Sequence, residues 1–171
     1  MRRGSVMLGV VVLLASLVGD GHGASAASAT VMLGDAPIPL SRAASLHCHD
    51  LERPIIRCFR TERQLMAAVR ASMTRPPYRR SGAILSSISY VHIFADAGFD
   101  GASMFLTGAC SNLGDIGWND RISSFRSVNN GAGTFSQHAG YEGTHYAFCC
   151  DTAVSNVGVY NDTWSSVTGS A

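Results

Sequence analysis

Two short stretches near the C-terminus repeat the same oxygen-bearing residues at the same spacing. Residues 119–124 read Asn-Asp-Arg-Ile-Ser-Ser and follow Trp118, and residues 161–166 read Asn-Asp-Thr-Trp-Ser-Ser and follow Tyr160, 42 residues later. In each copy an aspartate and a serine stand three residues apart, and the backbone between them can turn its carbonyl groups inward. Ca²⁺ takes about six to eight oxygen ligands of these kinds. One loop supplies too few of them, so we expect the two loops to bind calcium together.

The two loops belong to a longer internal repeat. Gly101 lies 18 residues before Asn119, and Gly143 lies 18 residues before Asn161. A single loop of this composition is explained by ordinary turns, because Asn, Asp and Ser hydrogen-bond their own backbone. A second copy at the same distance from a matching glycine favours a true repeat.

From residue 88 onward the sequence alternates short apolar segments with clusters of glycine, asparagine and serine. This pattern predicts many short strands, and a 42-residue repeat fits four strands per unit. We therefore expect an all-β fold, with two Greek-key motifs, residues 88–129 and 130–171, packed around one core. The strand candidates are Tyr90–Phe94, Met104–Leu106, Phe125–Val128, Thr134–Phe135 and Tyr146–Phe148.

Residues 94–103 and the two loops resemble the βγ-crystallins. An aromatic residue, a glycine seven positions on and a serine two beyond it match that family's folded hairpin, here Phe94, Gly101 and Ser103. Both loops match its calcium signature of two Asn/Asp residues, two variable residues, Ser/Thr and Ser. The resemblance covers about residues 88–171 and implies a wedge-shaped β-sandwich in which each ion takes oxygens from both repeats.

The same resemblance implies a set of calcium ligands. Side chains come from the aspartate and first serine of each loop, and carbonyl groups come from the first variable position and from the hairpin. The implied ligands are Asp120, Arg121, Ser123, Asp162, Thr163 and Ser165. The supporting motif positions are Asn119, Ser124, Asn161, Ser166, Phe94, Gly101 and Gly143.

The second repeat departs from the hairpin pattern. Ser136 occupies the aromatic position, with Phe135 one residue early, and His145 replaces the serine after Gly143. These changes bear on the packing of the second hairpin and on its carbonyl ligand, so we expect two calcium sites of unequal strength. One carboxylate per loop is a low charge count, which predicts dissociation constants of about 10⁻⁴ M or somewhat tighter.

The N-terminus has the features of a secretory signal peptide. Arg2 and Arg3 precede an apolar run from Val6 to Val18, which is followed by small-residue cleavage sites. We expect cleavage before Ala27 or Thr30, assign residues 1–29 to the signal peptide, and expect the protein to be secreted. The apolar run is shorter than the roughly 20 residues of a membrane-spanning helix, so no transmembrane segment is expected after cleavage.

Five cysteines follow the predicted signal peptide, and export favours disulfides. Cys48 with Cys58 would close a short loop, and Cys110 with either Cys149 or Cys150 would tie the two repeats together. The adjacent cysteines point to opposite faces if their stretch is a strand. Only one of them is then expected to join Cys110, and the fifth thiol is left free or intermolecular.

Residues 30–87 form a basic N-terminal segment. They hold nine arginines and four acids, whereas residues 88–171 hold two arginines and seven acids. The acidic half suits a cation.

Local signals predict the course of this segment. Pro37 and Pro39 favour an extended path, and Thr61 is a candidate N-cap of a helix that reaches about Met73. Residues Arg75–Gly82 read as a linker. The segment either packs on the β-domain or is a pro-segment that is cut near Arg79–Arg80.

The sequence lacks the patterns of an enzyme: there is no HExxH motif, nucleophile elbow, phosphate-binding glycine loop or pair of carboxylates. His47, Cys48, His49 and Asp50 offer three metal-ligand types, but no partner pair has metal-site spacing, so a disulfide from Cys48 is favoured. We expect a non-catalytic monomer that binds no nucleic acid.

Three functions remain open. The first is an exported calcium-binding protein that calcium stabilises. The second is an inhibitor of secreted metallopeptidases, because some small exported proteins of the βγ-crystallin superfamily resemble this chain and act in that way; residues 149–152 are its candidate inhibitory loop. The third is an adhesion or matrix module.

Overall fold

A computed structural model describes residues 29–73 and 89–169. The expected signal peptide, apart from Ala29, lies outside the described residues, as do the linker Arg75–Gly82 and the Arg79–Arg80 pair. Within residues 29–73 the elements are β1 (Thr30–Leu33), β2 (Ala36–Pro37), α1 (Leu40–Ala43), β3 (His47–Glu52), β4 (Ile55–Phe59) and α2 (Glu62–Met73). Within residues 89–169 the strands are β5 (Tyr90–Asp96), β6 (Asp100–Leu106), β7 (Ser124–Val128), β8 (Gly133–His138), β9 (Glu142–Phe148), β10 (Ala153–Val154) and β11 (Ser166–Thr168).

The predicted strands of the C-terminal part are confirmed, since every candidate segment lies within β5 to β9. The third strand of each repeat is very short and crosses to the other repeat. Strand β10 of the second repeat pairs with β7 of the first, and Cys110 of the first repeat bridges to Val167 in β11. The two repeats are therefore joined by backbone pairing in both sheets. Among the described helices, none is long and apolar enough to cross a membrane.

One aromatic core lies between the two sheets. Phe125 of β7 and Phe135 of β8 are fully buried, with ring centroids 5.1 Å apart. Trp164 stacks on Phe135 at 4.3 Å. Trp164 and Ile122 hold the same position in the two oxygen-rich loops, and both are buried. The core therefore anchors each loop through an apolar residue in its middle.

The N-terminal segment continues the first sheet. The strand order is β10-β7-β5-β6-β3-β4-β1-β2, and β3 runs parallel to β6 with His47 opposite Ser103. An uncovered edge strand presents unpaired backbone groups to other chains, so β3 covers the edge that β6 would otherwise expose. The expected extended path near Pro37 and Pro39 is confirmed, because Pro37 lies in β2 and Pro39 has extended backbone angles, φ −64° and ψ 146°. The four-residue helix α1, which was not predicted, begins directly after Pro39.

Asp50 ties the N-terminal segment to the β-domain. Its carboxylate is buried, and Oδ1 accepts hydrogen bonds from the backbone N–H and the hydroxyl of Thr107, both at 2.9 Å. Oδ2 accepts from Arg53 Nε at 2.9 Å, and the same guanidinium donates to the carbonyl of Ala109 at 3.1 Å. A buried carboxylate is tolerated when both of its oxygens are paired in this way.

Helix α2 packs on the outer face of the first sheet. Thr61 Oγ1 accepts a hydrogen bond from the backbone N–H of Gln64 at 3.3 Å, which confirms the predicted N-cap. Leu65 and Val69 are fully buried and contact a small cluster that includes Phe105. The buried side chains of Leu65 and Val69 therefore bind the helix to the sheet.

One of the two expected disulfides is present in the structure. Cys48 and Cys58 form a disulfide between β3 and β4, as predicted. The expected link from Cys110 is wrong, because Cys149 and Cys150 pair with each other and Cys110 is a buried free thiol. The reason is local: β9 ends at Phe148, and Cys150 has a left-handed backbone, φ 64°. The two cysteines therefore lie in a turn, where side chains do not alternate between faces.

Candidate functional site

The two oxygen-rich loops face each other across an approximate twofold axis. Asp120 donates its backbone N–H to the carbonyl of Trp164 at 3.0 Å, and Asp162 donates its own to Ile122 at 3.3 Å. Ile122 and Trp164 occupy equivalent positions in the two loops, so the two hydrogen bonds are related by the twofold axis: each loop donates one to the other. The repeat seen in the sequence is thus a physical pairing of the loops.

The aspartate of each loop is held in a left-handed backbone conformation, with φ of 51° for Asp120 and 53° for Asp162. Aspartate adopts this region more readily than most residues with a side chain. Asn119 Nδ2 donates to Asp120 Oδ2 at 2.6 Å, and Asn161 Nδ2 donates to Asp162 Oδ2 at 2.8 Å. One oxygen of each carboxylate is therefore held by the preceding asparagine, and Oδ1 is left for another partner.

The second serine of each loop fixes it to the hairpin of its own repeat. Ser124 Oγ donates to the carbonyl of Asp96 at 2.6 Å and accepts from the backbone N–H of Phe99 at 3.0 Å. The second repeat makes the same two contacts, at 2.7 and 3.1 Å, through Ser166, His138 and Tyr141. These serines hold the hairpin and the loop together and are saturated by protein partners.

The first serine of each loop distinguishes the two repeats. Ser165 Oγ approaches Asp120 Oδ1, in the opposite loop, at 3.4 Å. Ser123 Oγ instead donates to the carbonyl of Ala95 in the first hairpin at 2.7 Å. Both serines are nearly buried, at 8% and 6% exposure. Two groups of oxygens result: the first centre contains Asp120 and Ser165, and the second contains Ser123 and the Ala95 carbonyl.

Arg121 places a positive charge beside the first loop. Its guanidinium donates to the carbonyls of Gly117 at 2.8 Å and Ala44 at 2.6 Å, and it lies 5.0 Å from the centroid of the Trp118 ring. Burial lowers the pKa of Arg121, while the charges of Asp162 and Asp96 act to raise it. The side chain is thus held by carbonyl groups, including one from the N-terminal segment.

The second hairpin forms despite its departures from the pattern. Ser136 is buried opposite His145, with Oγ and Nδ1 3.0 Å apart. Ser165 donates its N–H to the carbonyl of Ser136 at 3.0 Å, as Ser123 does to Phe94 at the same distance. The left-handed turn positions also correspond: Gly98, Phe99 and Gly101 in the first hairpin and Gly140, Tyr141 and Gly143 in the second. The substitutions change side-chain packing and leave the hairpin backbone in place.

The C-terminal part of the chain, which carries the hairpins and the two loops, matches a known protein family. Residues 90–167 match the family model for beta/gamma crystallins. Residues 90–167 are a βγ-crystallin domain. The resemblance read from the hairpin and the loops is therefore confirmed.

Solved βγ-crystallin structures are similar to this chain over about half of its length. One from Ciona intestinalis is 28% identical, with 47% of this chain and 98% of that chain covered and a TM-score of 0.44. One from an archaeon is 26% identical, with coverage of 48% and 99% and a TM-score of 0.44. A domain from Clostridium beijerinckii is 21% identical, with coverage of 47% and 97% and a TM-score of 0.42. No curated protein matches the chain.

The oxygens that the βγ-crystallin loops gather suit a hard cation. Within the part of the chain that the structure describes, no three or more His, Cys, Asp or Glu side chains are grouped to hold a metal. The loops instead bring together a carboxylate, hydroxyls and backbone carbonyls, which is the donor set that calcium prefers over soft or imidazole-binding metals. The residues present therefore fit calcium.

The alternative metal cluster at the N-terminal segment is not assembled. Cys48 is in a disulfide, and His47 Nδ1 lies 3.0 Å from the hydroxyl of Ser103. Asp50 is already paired with Arg53 and Thr107. His47 and Asp50 thus hold the segment on the domain.

The carbonyl of Ala95 in the first hairpin lies beside the first loop, because it accepts a hydrogen bond from the hydroxyl of Ser123. The sequence expectation of a hairpin carbonyl near the loop did not name this residue. A backbone carbonyl leaves no mark in the residue type, so an alanine gives no sign of this role. The position of Ser123 in the loop was the one indirect signal.

Proposed function

We propose that the βγ-crystallin domain binds two calcium ions between its paired loops and that calcium stabilises an exported protein. One observation carries the proposal: Ser165 of the second loop approaches Asp120 of the first at 3.4 Å. A hydroxyl and a carboxylate from different repeats thus converge at one point. Many βγ-crystallins bind calcium, and both signature loops are complete in this chain.

Each ion takes ligands from both repeats in this proposal. The first site uses Asp120, Ser165 and the carbonyl of Thr163. The second uses Asp162, Ser123 and the carbonyls of Arg121 and Ala95. Thr163 supports this role because its hydroxyl donates to the carbonyl of Tyr160 at 2.8 Å, which fixes the turn. Water completes the coordination shell of about six to eight oxygens.

The two sites are unequal in our proposal because their surroundings differ. The second site lies beside the guanidinium of Arg121, whose positive charge opposes the approach of a cation. The first site has no such neighbour among the contacts of Asp120 and Ser165, so it is expected to bind calcium more tightly.

Calcium binding to the folded state raises stability by mass action. At a hundredfold excess of free calcium over the dissociation constant, each site contributes about 2.7 kcal/mol. For a protein of this size that is a rise of roughly 5 to 10 °C in melting temperature per site.

Scanning calorimetry in excess calcium and in excess EGTA tests the proposal. The wild type is expected to melt at a lower temperature in EGTA than in calcium. The Asp120→Ala, Asp162→Ala double variant is expected to have the same melting temperature in both buffers. Magnesium at the same concentration controls for ionic strength. A wild-type melting temperature that EGTA does not change contradicts the proposal.

Inhibition of secreted metallopeptidases is the second candidate function, and one feature favours it. Residues 149–152 form an exposed turn that three hydrogen bonds from backbone N–H groups brace. The N–H of Cys150 donates to the carbonyl of Gly131 at 2.9 Å. The N–H of Asn130 donates to Asp151 Oδ1 at 3.1 Å, and the N–H of Thr152 donates to Ser127 Oγ at 2.9 Å. The Cys149–Cys150 pair closes the turn further. A rigid exposed loop loses little entropy when it binds a cleft.

Incubation with a thermolysin-type peptidase tests this second function. Inhibition by micromolar wild-type protein, and its loss in a Cys149→Ser, Cys150→Ser variant, would support the loop as the inhibitory element. The calcium-site double variant serves as the matched control. The absence of inhibition by the wild type would remove this candidate.

A further inference from the structure

A groove with apolar walls opens on the N-terminal segment, away from the calcium loops. It has a volume of about 700 Å³ and lies between the β1–β2 hairpin, the end of β4 and the first turns of α2. Leu33, Ile38, Phe59 and Ala67 form the apolar part of its wall. The volume falls within the range of about 300 to 1,000 Å³ that is typical of small-molecule sites.

Two arginines line the same groove. Within residues 29–73 and 89–169, neither the Arg42 nor the Arg60 guanidinium makes a hydrogen bond or an ion pair, and no acidic side chain is part of the wall. Other arginines of this segment are engaged, since Arg53 pairs with Asp50 and Arg57 pairs with Glu52. The groove therefore combines apolar surface with positive charge that has no partner.

We propose that this groove binds an amphiphilic anion, an alkyl chain that ends in a carboxylate or another acidic head group. The chain would lie on the apolar wall, where burial of its CH₂ groups away from water favours binding. The head group would accept hydrogen bonds from Arg42 and Arg60, because guanidinium groups bind carboxylates in a charge-assisted and often bidentate manner. The net charge of +5 for residues 30–87 also favours an anion.

Neither part of the ligand is expected to suffice alone. A short carboxylate such as acetate would find two exposed guanidinium groups but little apolar contact, and solvent-exposed ion pairs contribute little to binding. A chain with a cationic head would meet two arginines of like charge. The discriminating probe is therefore dodecanoate, compared with acetate and with dodecyltrimethylammonium.

Titration calorimetry on the full chain, below the critical micelle concentration of each probe, tests the proposal. Dodecanoate is expected to bind, and the other two probes are expected to bind at least tenfold more weakly. The Arg42→Gln, Arg60→Gln variant should weaken dodecanoate binding at least tenfold. The matched control is Arg63→Gln, Arg70→Gln, which removes the same charge from α2 outside the groove and should leave the affinity within twofold.

A second variant keeps the test independent of charge. Ala67→Trp places a large side chain in the groove from an exposed position of α2 and should also abolish dodecanoate binding, with an unchanged far-ultraviolet circular dichroism spectrum. Equal binding of the cationic probe, no binding of dodecanoate, or wild-type affinity in both groove variants would each overturn the proposal.

Discussion

At the scale of single residues, the serines of the two loops divide into two kinds. Ser124 and Ser166 are saturated by hairpin backbone groups and hold structure. Ser123 and Ser165 each donate a hydroxyl toward an oxygen that also belongs to the proposed sites. A metal ion between those oxygens would replace the hydroxyl hydrogen bond, because both atoms can coordinate it.

Replacement of Ser165 should therefore affect one site only. Ser165→Ala removes the hydroxyl near Asp120 and is expected to weaken the tighter site at least tenfold, with the other site retained. Titration calorimetry measures both sites in one experiment. Ser155→Ala, an exposed serine outside the loops, is the control, and the expectation fails if the two variants bind calcium alike.

The two disulfides should differ strongly in what they contribute to stability. Cys48 and Cys58 are ten residues apart, and closing such a loop restricts the unfolded chain by about 2 to 3 kcal/mol. The Cys149–Cys150 pair joins neighbours and closes almost no loop. Urea denaturation should show that Cys48→Ala, Cys58→Ala lowers the free energy of unfolding by that amount, while Cys149→Ala, Cys150→Ala changes it by much less. Equal losses would contradict this account.

The pairs Asp120 with Ser123 and Asp162 with Ser165 could be read from the sequence because their residue types and spacing repeat. The pairing of Cys110 was predicted wrongly, because the pairing of Cys149 with Cys150 depends on a left-handed turn after β9. A strand or a turn at that point is decided by the tertiary fold, and no local signal separated the two.

At the scale of elements, β3 is the feature that attaches the N-terminal segment to the βγ-crystallin domain. It pairs with the free side of β6, and Asp50 near its end accepts two hydrogen bonds from Thr107. The domain edge is thus closed by the chain's own preceding residues. The segment is an integral part of the first sheet.

Loss of the Asp50 carboxylate should weaken this attachment. Asp50→Ala leaves the partly buried backbone N–H of Thr107 without its carboxylate partner, which costs about 1 to 3 kcal/mol, whereas Arg53 can turn to solvent. Urea denaturation at pH 7 should show a loss of about 2 kcal/mol. Asp35→Ala in the exposed β1–β2 turn is the control and should stay within about 0.5 kcal/mol of wild type. A similarly small effect of Asp50→Ala would contradict the proposed tie.

Acid should destabilise the fold through the histidine under α2. His92 is buried near Glu62 of α2, and burial, with the nearby charges of Arg126 and His47, lowers its pKa from 6.5 to about 3. The unfolded state therefore binds a proton that the folded state does not, so stability falls as the pH drops from about 6.5 toward 3. Each pKa unit is worth about 1.4 kcal/mol, which makes the loss a few kcal/mol.

The variant His92→Leu should remove much of this pH dependence. Urea denaturation at pH 7 and pH 4 gives the slope for the wild type and for the variant, and the variant is expected to lose clearly less stability between the two values. His138→Leu, an exposed histidine, is the matched control. Identical slopes for wild type and His92→Leu would contradict the assignment.

The elements themselves were predictable to different degrees. β5 to β9 and α2 were visible because their apolar periodicity and turns are local. β1 to β3 were not, since β3 reads His-Cys-His-Asp-Leu-Glu and is stabilised by pairing with β6, more than 50 residues away. Strand pairing over such a distance leaves little local pattern. The two-residue β10 was missed because it is too short to show a periodic pattern.

At the scale of the whole molecule, the repeats are nearly symmetric but their surroundings are not. The first repeat carries the N-terminal segment on its outer strand, and Arg121 beside its loop donates to Ala44 of that segment. The second repeat has β9 at the end of its three-stranded sheet. The difference that we expect between the calcium sites therefore comes from the attached segment, which helps to hold Arg121 beside the first loop.

Calcium titration by calorimetry is the measurement that tests the central claim most directly. The wild type is expected to bind two ions with unequal dissociation constants. Each single variant, Asp120→Ala or Asp162→Ala, is expected to retain one site, and the double variant is expected to bind no calcium. A wild type that takes up no calcium, or a double variant that binds as the wild type does, would contradict the account of the paired loops.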